Sequence, residues 1–345
     1  MLLLPLSLLL GCGGDGKDGS GEVGTDGVDS GDSGGPPCAT SVIGHSPDDG
    51  ATGIDLGGRV SFTLSEADTT ATITVTAGPG TACGAEVVGS SWLDATGTTA
   101  WFEAAGPLQA DTDHTATVHT CAGDAEVGFH TRTVGAPVAD LLGTAYLVDI
   151  AGAEWINPPN FGSMLGIVLD PKLLIGVAET SGGTLSWIGA PSLDGLTQNR
   201  CKATTAFPPA DFVQNPYFQI GPADPTITLA GLPIDLHRFK LSGEFTPAGI
   251  EGGVVTVGID VRQVIPALGD LLPVKDVDGF CEKIGGFGIT CLPCPDGTGS
   301  YCVDLYAEAL AATPVAASVD VIAQSDCDPG CEASWTNPEC DTSAF

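Results

Sequence analysis

A mainly β chain in two bodies is the fold class this sequence predicts: an antiparallel β-sandwich, then a disulfide-rich α+β domain on a curved antiparallel sheet. Three observations carry that expectation. Glycine and proline are abundant, at 49 and 25 of 345 residues, and the Thr- and Val-rich segments between them alternate apolar and polar residues with period two. That pattern favours short strands and turns over long helices. Hydrophobic residues make up 43% of the chain in spite of a net charge of −32, so the bulk buries cores rather than remaining an acidic coil. Twelve cysteines point to disulfides and therefore to an oxidising compartment. The length suffices for two cores. The charge argues against nucleic-acid partners and against a polybasic membrane contact.

In chain order, residues 1–11 come first. "MLLLPLSLLL" is too short to span a bilayer, which takes about 20 residues, and it fits the apolar region of an export signal. "LLLGC", residues 8–12, resembles a bacterial lipobox. The resemblance implies cleavage before Cys12 and acylation of its thiol with palmitate-type chains. At about 0.8 kcal/mol per buried methylene, two chains give stable anchoring, so the expected membrane contact is the lipid at Cys12. Gly13, in place of an inner-membrane retention aspartate, directs the expectation to the outer membrane. Residues 12–37 then read as a Gly/Asp/Ser tether that spans about 25–30 Å on average. "GDSGGP" (31–36) inside it matches the hexapeptide around a trypsin-type nucleophile. Ser33 nevertheless has no folded barrel before it and no histidine before His45, so it is not expected to be catalytic. Asp26, Asp29 and Asp32 lack the frame of a calcium loop.

Residues 38–135 form the expected sandwich. "VSFTLS" (60–65), "ATITVTA" (71–77), "TAWFEA" (99–104), "TATVHT" (115–120) and "EVGFHT" (126–131) alternate as half-buried strands, and "PDDG" and "AGPG" punctuate them as turns. "SPDDGATGI" (46–54), "VSFTLSEA", "LQADTDHTATV" (108–118) and the closing "GFHT" resemble a bacterial Ig-like domain of the surface-layer type. Here His114 takes a position usually held by tyrosine. The resemblance implies spacing and display, and brings no catalytic residues. Cys83 and Cys121 are the expected bridge of this body. His119 and His130 share one face of the final hairpin and form a weak candidate pair for a transition metal.

"APVADLLG" (136–143) is the expected join, and residues 138–345 the second domain. "LLIGVAET" and "TLSWIGA" flank a Ser181-Gly182-Gly183 hairpin turn. "IDLHRFKLSGEF" alternates apart from a bulge near His237, and "VDGFCEKIGGF" (277–287) has a helical period that ends at Gly285-Gly286. Cys201, Cys281, Cys291, Cys294, Cys302, Cys327, Cys331 and Cys340 are disulfide candidates here. "CLPC" (291–294) also admits a redox motif, and with Cys281 and Cys302 a zinc site. With Cys12 lipidated the count is odd, which leaves Cys38 or a tail cysteine unpaired. The loops "PPNFG" (158–162) and "NPYFQIGPADP" (215–225) carry Phe161, Tyr217 and Phe218, either as ligand contacts or as barrel caps. Asp235 and Asp260 are isolated carboxylates.

No cofactor and no catalytic constellation are expected. The sequence therefore predicts a non-enzymatic, lipid-anchored envelope protein in which an Ig-like spacer displays a C-terminal binding or structural domain, with an envelope protein or glycan as partner. Two alternatives remain open at this level: a carrier enclosing a small apolar ligand in the C-terminal sheet, and a hydrolase using His237.

Overall fold

The computed structural model describes residues 38–323, apart from 79–83, 95, 160, 163–172, 193, 230–231, 269–273, 275, 287, 295–296 and 317. The lipobox and Cys12, the tether with Ser33, and Cys83, Cys327, Cys331 and Cys340 lie outside the described residues. No described helix is long and apolar enough to cross a membrane.

The first body contains β1 (Val42–Ser46), β2 (Ala51–Ile54), β3 (Val60–Leu64), β4 (Thr72–Ala77), β5 (Ala85–Glu86), β6 (Gly89–Leu93), β7 (Thr99–Ala104), β8 (Asp113–Thr120) and β9 (Gly123–Thr131). They form two sheets, β1-β3-β7-β6 and β2-β9-β8-β4-β5; the β2–β9 pairing is parallel. The alternation read from the sequence decides the faces. Val60, Phe62 and Leu64 of one sheet meet Ile73, Val75, Ala116, Val118, Val127 and Phe129 of the other in a single core. His114 is buried in this core. It stacks on Phe129 with ring centroids 5.3 Å apart, and its Nδ1 lies 3.0 Å from the Thr112 carbonyl oxygen. Burial pushes its pKa down, so it fills a core position as a neutral ring.

The second body continues with β10 (Ala145–Asp149), β11 (Glu154–Asn157), β12 (Leu173–Ser181), β13 (Thr184–Pro191), β14 (Thr205–Ala206), β15 (Ala210–Asp211), β16 (Tyr217–Ala223), β17 (Thr226–Leu229), β18 (Leu232–Thr246), β19 (Gly249–Asp260), α1 (Val261–Leu268), α2 (Val277–Gly285) and β20 (Cys302–Val315). The expected α+β domain on a curved sheet is instead a closed barrel. The order β10-β12-β13-β15-β16-β18-β19-β20 is completed by pairing of β20 with β10, which makes eight antiparallel staves. Closure disposes of both edges that an open curved sheet would leave unpaired. The β12–β13 turn is Gly182-Gly183, with φ of 56° and 85°; two left-handed residues give the turn whose twist matches the strands. Register slips between His237 and Lys240, at the expected bulge.

The helices are short and serve the barrel. Asp276 caps α2 by accepting the Gly279 N–H at 2.8 Å. Phe280 and Ile284 of α2, Val261 of α1 and Ile289 belong to the barrel core. Among the described residues that core is packed with aromatic rings. Trp187 stacks on Phe245 at 5.6 Å, and Phe218, Phe212 and Tyr146 surround Phe245 at 5.3, 5.9 and 5.6 Å. A void beside Phe218, Leu241 and Ile250 measures about 10 Å³, room for at most one water. Among the described residues, aromatic side chains occupy the part of the barrel interior that a small apolar ligand would take. Tyr217 and Phe218, expected on a loop, are buried in β16, while Phe161 packs edge-on against Trp155 at 4.7 Å.

Cysteine pairing differs from expectation in one place. Cys121 bridges Cys38, so Cys121 is not available to Cys83, and Cys38 is not the unpaired thiol. The other bridges between two described cysteines are Cys281–Cys291 and Cys294–Cys302, and Cys201 is also disulfide-bonded. The two cysteines of "CLPC" thus take different partners. This removes both the redox-motif reading and the four-thiolate zinc site, because disulfide sulfur is not a thiolate ligand.

Candidate functional site

Four strands of the barrel, β16, β18, β19 and β20, turn their outer faces toward the sandwich. Side chains on a strand alternate between faces, so Tyr217, Lys240, Ser242, Glu244, Thr256 and Tyr306 point away from the barrel interior. All are nonetheless buried, because the sandwich covers them. Tyr217, 1% exposed, joins the sandwich core.

Buried charges must be paired, and here they are. Arg59, which precedes β3, donates from Nη1 to Asp304 Oδ2 at 2.6 Å and from Nη2 to Asp304 Oδ1 at 3.3 Å. Its Nε lies 3.5 Å from Glu103 Oε1. Lys240, fully buried, places Nζ 2.7 Å from the same Glu103 oxygen, which also accepts the Thr256 hydroxyl at 2.9 Å. Burial alone pushes the Glu103 carboxyl up, but Arg59 and Lys240 outweigh it and hold the pKa at about 2. Burial pushes the Lys240 ammonium down, against the pull of Glu103. A second cluster lies beside the first. Arg132 donates to Asp55 at 3.2 Å and to Glu244, and Glu244 accepts the Gly135 N–H at 2.6 Å. Burial dominates at Asp55 and raises its pKa, although the Gly57 N–H and Arg132 oppose it.

The join at 136–143 is pinned as well. Asn215 accepts the Val138 N–H at 2.8 Å and donates to the Val138 carbonyl at 2.9 Å. Gln214 accepts the Ala110 N–H and donates to the Leu108 carbonyl, both at 2.9 Å. The two bodies are therefore fastened through side chains, chain connection and a shared apolar contact. Sequence reasoning singled out Tyr217 for other reasons and missed the rest. One signal was available: the sandwich segment 38–135 contains only two basic residues, Arg59 and Arg132, and both sit in the joint.

The residues singled out from sequence fall elsewhere. His119 and His130 are not brought together. His130 pairs with Asp113 and His119 lies six positions further along β8, at its far end, roughly 20 Å away at ~3.3 Å per residue. His119 contacts Thr74 and Asp124, each at 3.0 Å. His130 lies between Asp113 and Asp111, whose hydrogen bonds raise its pKa. His237 faces Gly258 across the β18–β19 ladder. The nearby Asp235 carboxylate is held instead by Thr226 and Gln263, at 2.7 and 2.8 Å. Asp260 forms an ion pair with Arg262. The metal-compatible groupings Cys38-Asp68-Cys121 and Asp260-Cys294-Cys302 contain disulfide sulfurs, which leaves one carboxylate in each. An open groove of about 520 Å³ at the sandwich edge is lined by Ile73, Val87, Val88 and Phe102 among others.

Comparison with known proteins gives the following. No curated protein matches the sequence. A DUF4784 family protein from Bacteroides caccae is 8% identical, with TM-score 0.21; the match covers 62% of this chain and 52% of that one. The surface layer protein SbsC, domains 1–6, is 10% identical with TM-score 0.22, covering 81% of this chain and 54% of its own. An uncharacterized protein from Listeria monocytogenes, crystallised with glucose, magnesium and calcium, is 13% identical with TM-score 0.18, covering 62% and 21%. The chain thus spans about half or less of the length of these structures. The family model for the bacterial Ig-like domain matches residues 37–137, the stretch that folds as the sandwich. The first body of this chain is a bacterial Ig-like domain.

Proposed function

We propose that the protein is a lipid-anchored component of the bacterial cell envelope, held at the outer membrane through Cys12, that displays its Ig-like domain and barrel as one rigid, non-enzymatic unit for structural contact or binding. The observation that carries this reading is the buried ionic joint. A spacer that merely holds a second domain at a distance needs no matched charges on its flank, whereas Arg59, Glu103 and Lys240 are paired and sealed between the bodies. The oxidised cysteines support an exported location. The aromatic packing inside the barrel supports structural rather than carrier use, and the engagement of Asp235 by Thr226 and Gln263 rather than by His237 supports a non-enzymatic role.

The anchor is tested by metabolic labelling with palmitate in a bacterial host. Label is expected in the wild type and absent from Cys12→Ala; equal labelling of the two overturns the anchor. The rigid unit is tested separately by limited proteolysis of the folded chain. The join at 136–143 is expected to resist cleavage, and early cutting there would overturn the rigid unit.

A further inference from the structure

Each sheet of the sandwich ends in two edge strands. Native sheets blunt such edges with bulges, shortness, charge or proline. β1 slips register between Val42 and Gly44, β2 does so between Ala51 and Ile54, and β5 is two residues long and carries Glu86. β6 has none of these devices. Its five residues, Gly89-Ser90-Ser91-Trp92-Leu93, pair with β7 in unbroken register and hold no charge and no proline.

The far side of β6 is open. The Ala105 N–H bonds the Val88 carbonyl and the Asp94 N–H bonds the Thr99 carbonyl, each at 2.9 Å. Antiparallel pairing alternates, so Ser90 and Trp92 spend their backbone groups on β7, whereas Gly89, Ser91 and Leu93 point theirs away from it. Among the described residues those outward groups have no partner. The barrel's cover stops short of this end of the strand: Glu103 is buried, yet Ser90, directly across the ladder, is exposed. Beside the edge lies the groove of about 520 Å³ that Ile73, Val88, Gly89 and Phe102 help to line. A Cβ at Gly89 would sit 2.4 Å from Phe102 Cζ, which keeps that position free of a side chain.

We propose that β6 is a docking edge for β6 of a second copy of this chain, antiparallel about a two-fold axis through Ser91. In that register the strand is complementary to itself. Gly89 faces Leu93 of the second copy, Ser90 faces Trp92 and Ser91 faces its counterpart, so each large side chain meets a small one in both directions. The pairs that exchange hydrogen bonds, 89 with 93 and 91 with 91, are those whose backbone groups are unspent, giving about six bonds. A slip of one residue would set free groups against spent ones. Charge agrees with this occupant. Glu86 and Asp94 bracket a run, 87–93, without charge in a chain holding 43 acidic residues, so two copies meet here with no like-charge contact along the run. A basic peptide would find no carboxylate there. So short an edge falls below the ~800 Å² per partner of a stable dimer. Association is therefore weak and favours copies confined to one surface, a step that rests on the anchor at Cys12, whereas the edge itself does not.

The test is sedimentation velocity of the full chain carrying Cys12→Ala, which removes the lipid, from about 5 to 500 µM in about 0.3 M salt, where long-range repulsion is screened. A monomer–dimer equilibrium is expected, with Kd on the order of 100 µM. The register sets Val88, 78% exposed, against Asp94 of the second copy, and the contact occurs twice. Val88→Asp in this background is therefore expected to weaken association about fivefold or more, and Val88→Lys to maintain or tighten it. Leu196→Asp, at an exposed position in the loop after β13, adds the same charge elsewhere and is expected to change Kd less than about twofold. Chains that stay monomeric throughout leave the edge to a strand of another protein or to none, and overturn the proposal. So does a Val88→Asp chain that associates like its parent, a Val88→Lys chain that loses as much as Val88→Asp, or an equal loss in Leu196→Asp. Because the lipid is absent from every sample, failure here leaves the palmitate result standing, and the edge and the anchor fall separately.

Discussion

Strands β16, β18, β19 and β20 are buried on both faces, and the two faces are chemical opposites. Inward, Phe218, Ile220, Leu241, Phe245, Val257 and Leu305 form a hydrocarbon and aromatic interior. Outward, Lys240, Glu244, Thr256 and Tyr306 meet Arg59, Glu103 and Arg132 of the Ig-like domain. The inner face is stabilised by area removed from water, and its contacts tolerate small adjustments of geometry. The outer face must repay desolvation of every charge with a partner at hydrogen-bond distance. One face favours compactness; the other admits a single way of docking.

Substitutions test that contrast most sharply. Trp187→Ala in the barrel interior should cost about 3–5 kcal/mol, and Glu103→Ala in the joint about the same, since it leaves Lys240 buried beside a vacated site. Urea unfolding reads both. The two sites separate on full replacement: Lys240→Met with Glu103→Leu should cost well under Glu103→Ala alone, because no unpaired charge is stranded and Arg59 keeps Asp304, although the Thr256 hydroxyl loses its acceptor. A loss of about 3 kcal/mol or more in this double variant would break the contrast.

Acid is the next lever, and it acts on one layer only. The Glu103 carboxyl titrates at about 2 when folded, against an ordinary 4.5. A lowered folded pKa contributes stability that is present above pH 4.5 and lost as pH falls toward 2. At 1.36 kcal/mol per unit this amounts to roughly 3 kcal/mol. Asp55 works in the opposite sense: its raised pKa favours the protonated folded form, so its contribution grows as pH falls through that pKa. Unfolding titrations of Glu103→Gln should therefore show a flatter acid limb than wild type, and those of Trp187→Ala an unchanged one.

Covalent and exposed contacts complete the ranking. Removing the Cys281–Cys291 bridge, whose cysteines are 10 residues apart, by Cys281→Ser with Cys291→Ser should cost about 2–3 kcal/mol in the chain-entropy account, seen as a lower thermal midpoint. Arg200 and Asp320 also form an ion pair, at 2.7 Å, but half exposed. Arg200→Ala should cost less than about 0.5 kcal/mol. A larger loss there would mean that exposure is not what separates it from Arg59.

The same two faces explain what the sequence disclosed. Alternation in "VSFTLS" and "IDLHRFKLSGEF" places Phe62, Leu241 and Phe245 inside correctly. Yet a strand with one polar face reads identically whether that face meets water or a second body, so Lys240 and Glu103 look like solvated charges. Closure of the barrel was equally hidden, because the β10–β20 pairing joins Ala145 to Val315 across most of the domain and leaves no local trace. The Cys38–Cys121 bridge joins residues 83 apart, and spacing alone did not prefer it to Cys83. Local signals fared better: Ser181-Gly182-Gly183 reads as a hairpin turn and 277–287 as a helix stopping at Gly285-Gly286, and the structure has the turn at Gly182-Gly183 and the helix over Val277–Gly285.

The Cys38 bridge has a mechanical consequence. It ties Cys38 to the turn after β8, and β1 starts only four residues later, at Val42. Tension arriving from the N-terminal side at residue 38 is shared across a sulfur–sulfur bond with the opposite sheet before it reaches the hydrogen bonds of β1. The outermost strand is thereby relieved of the role of first link to give way.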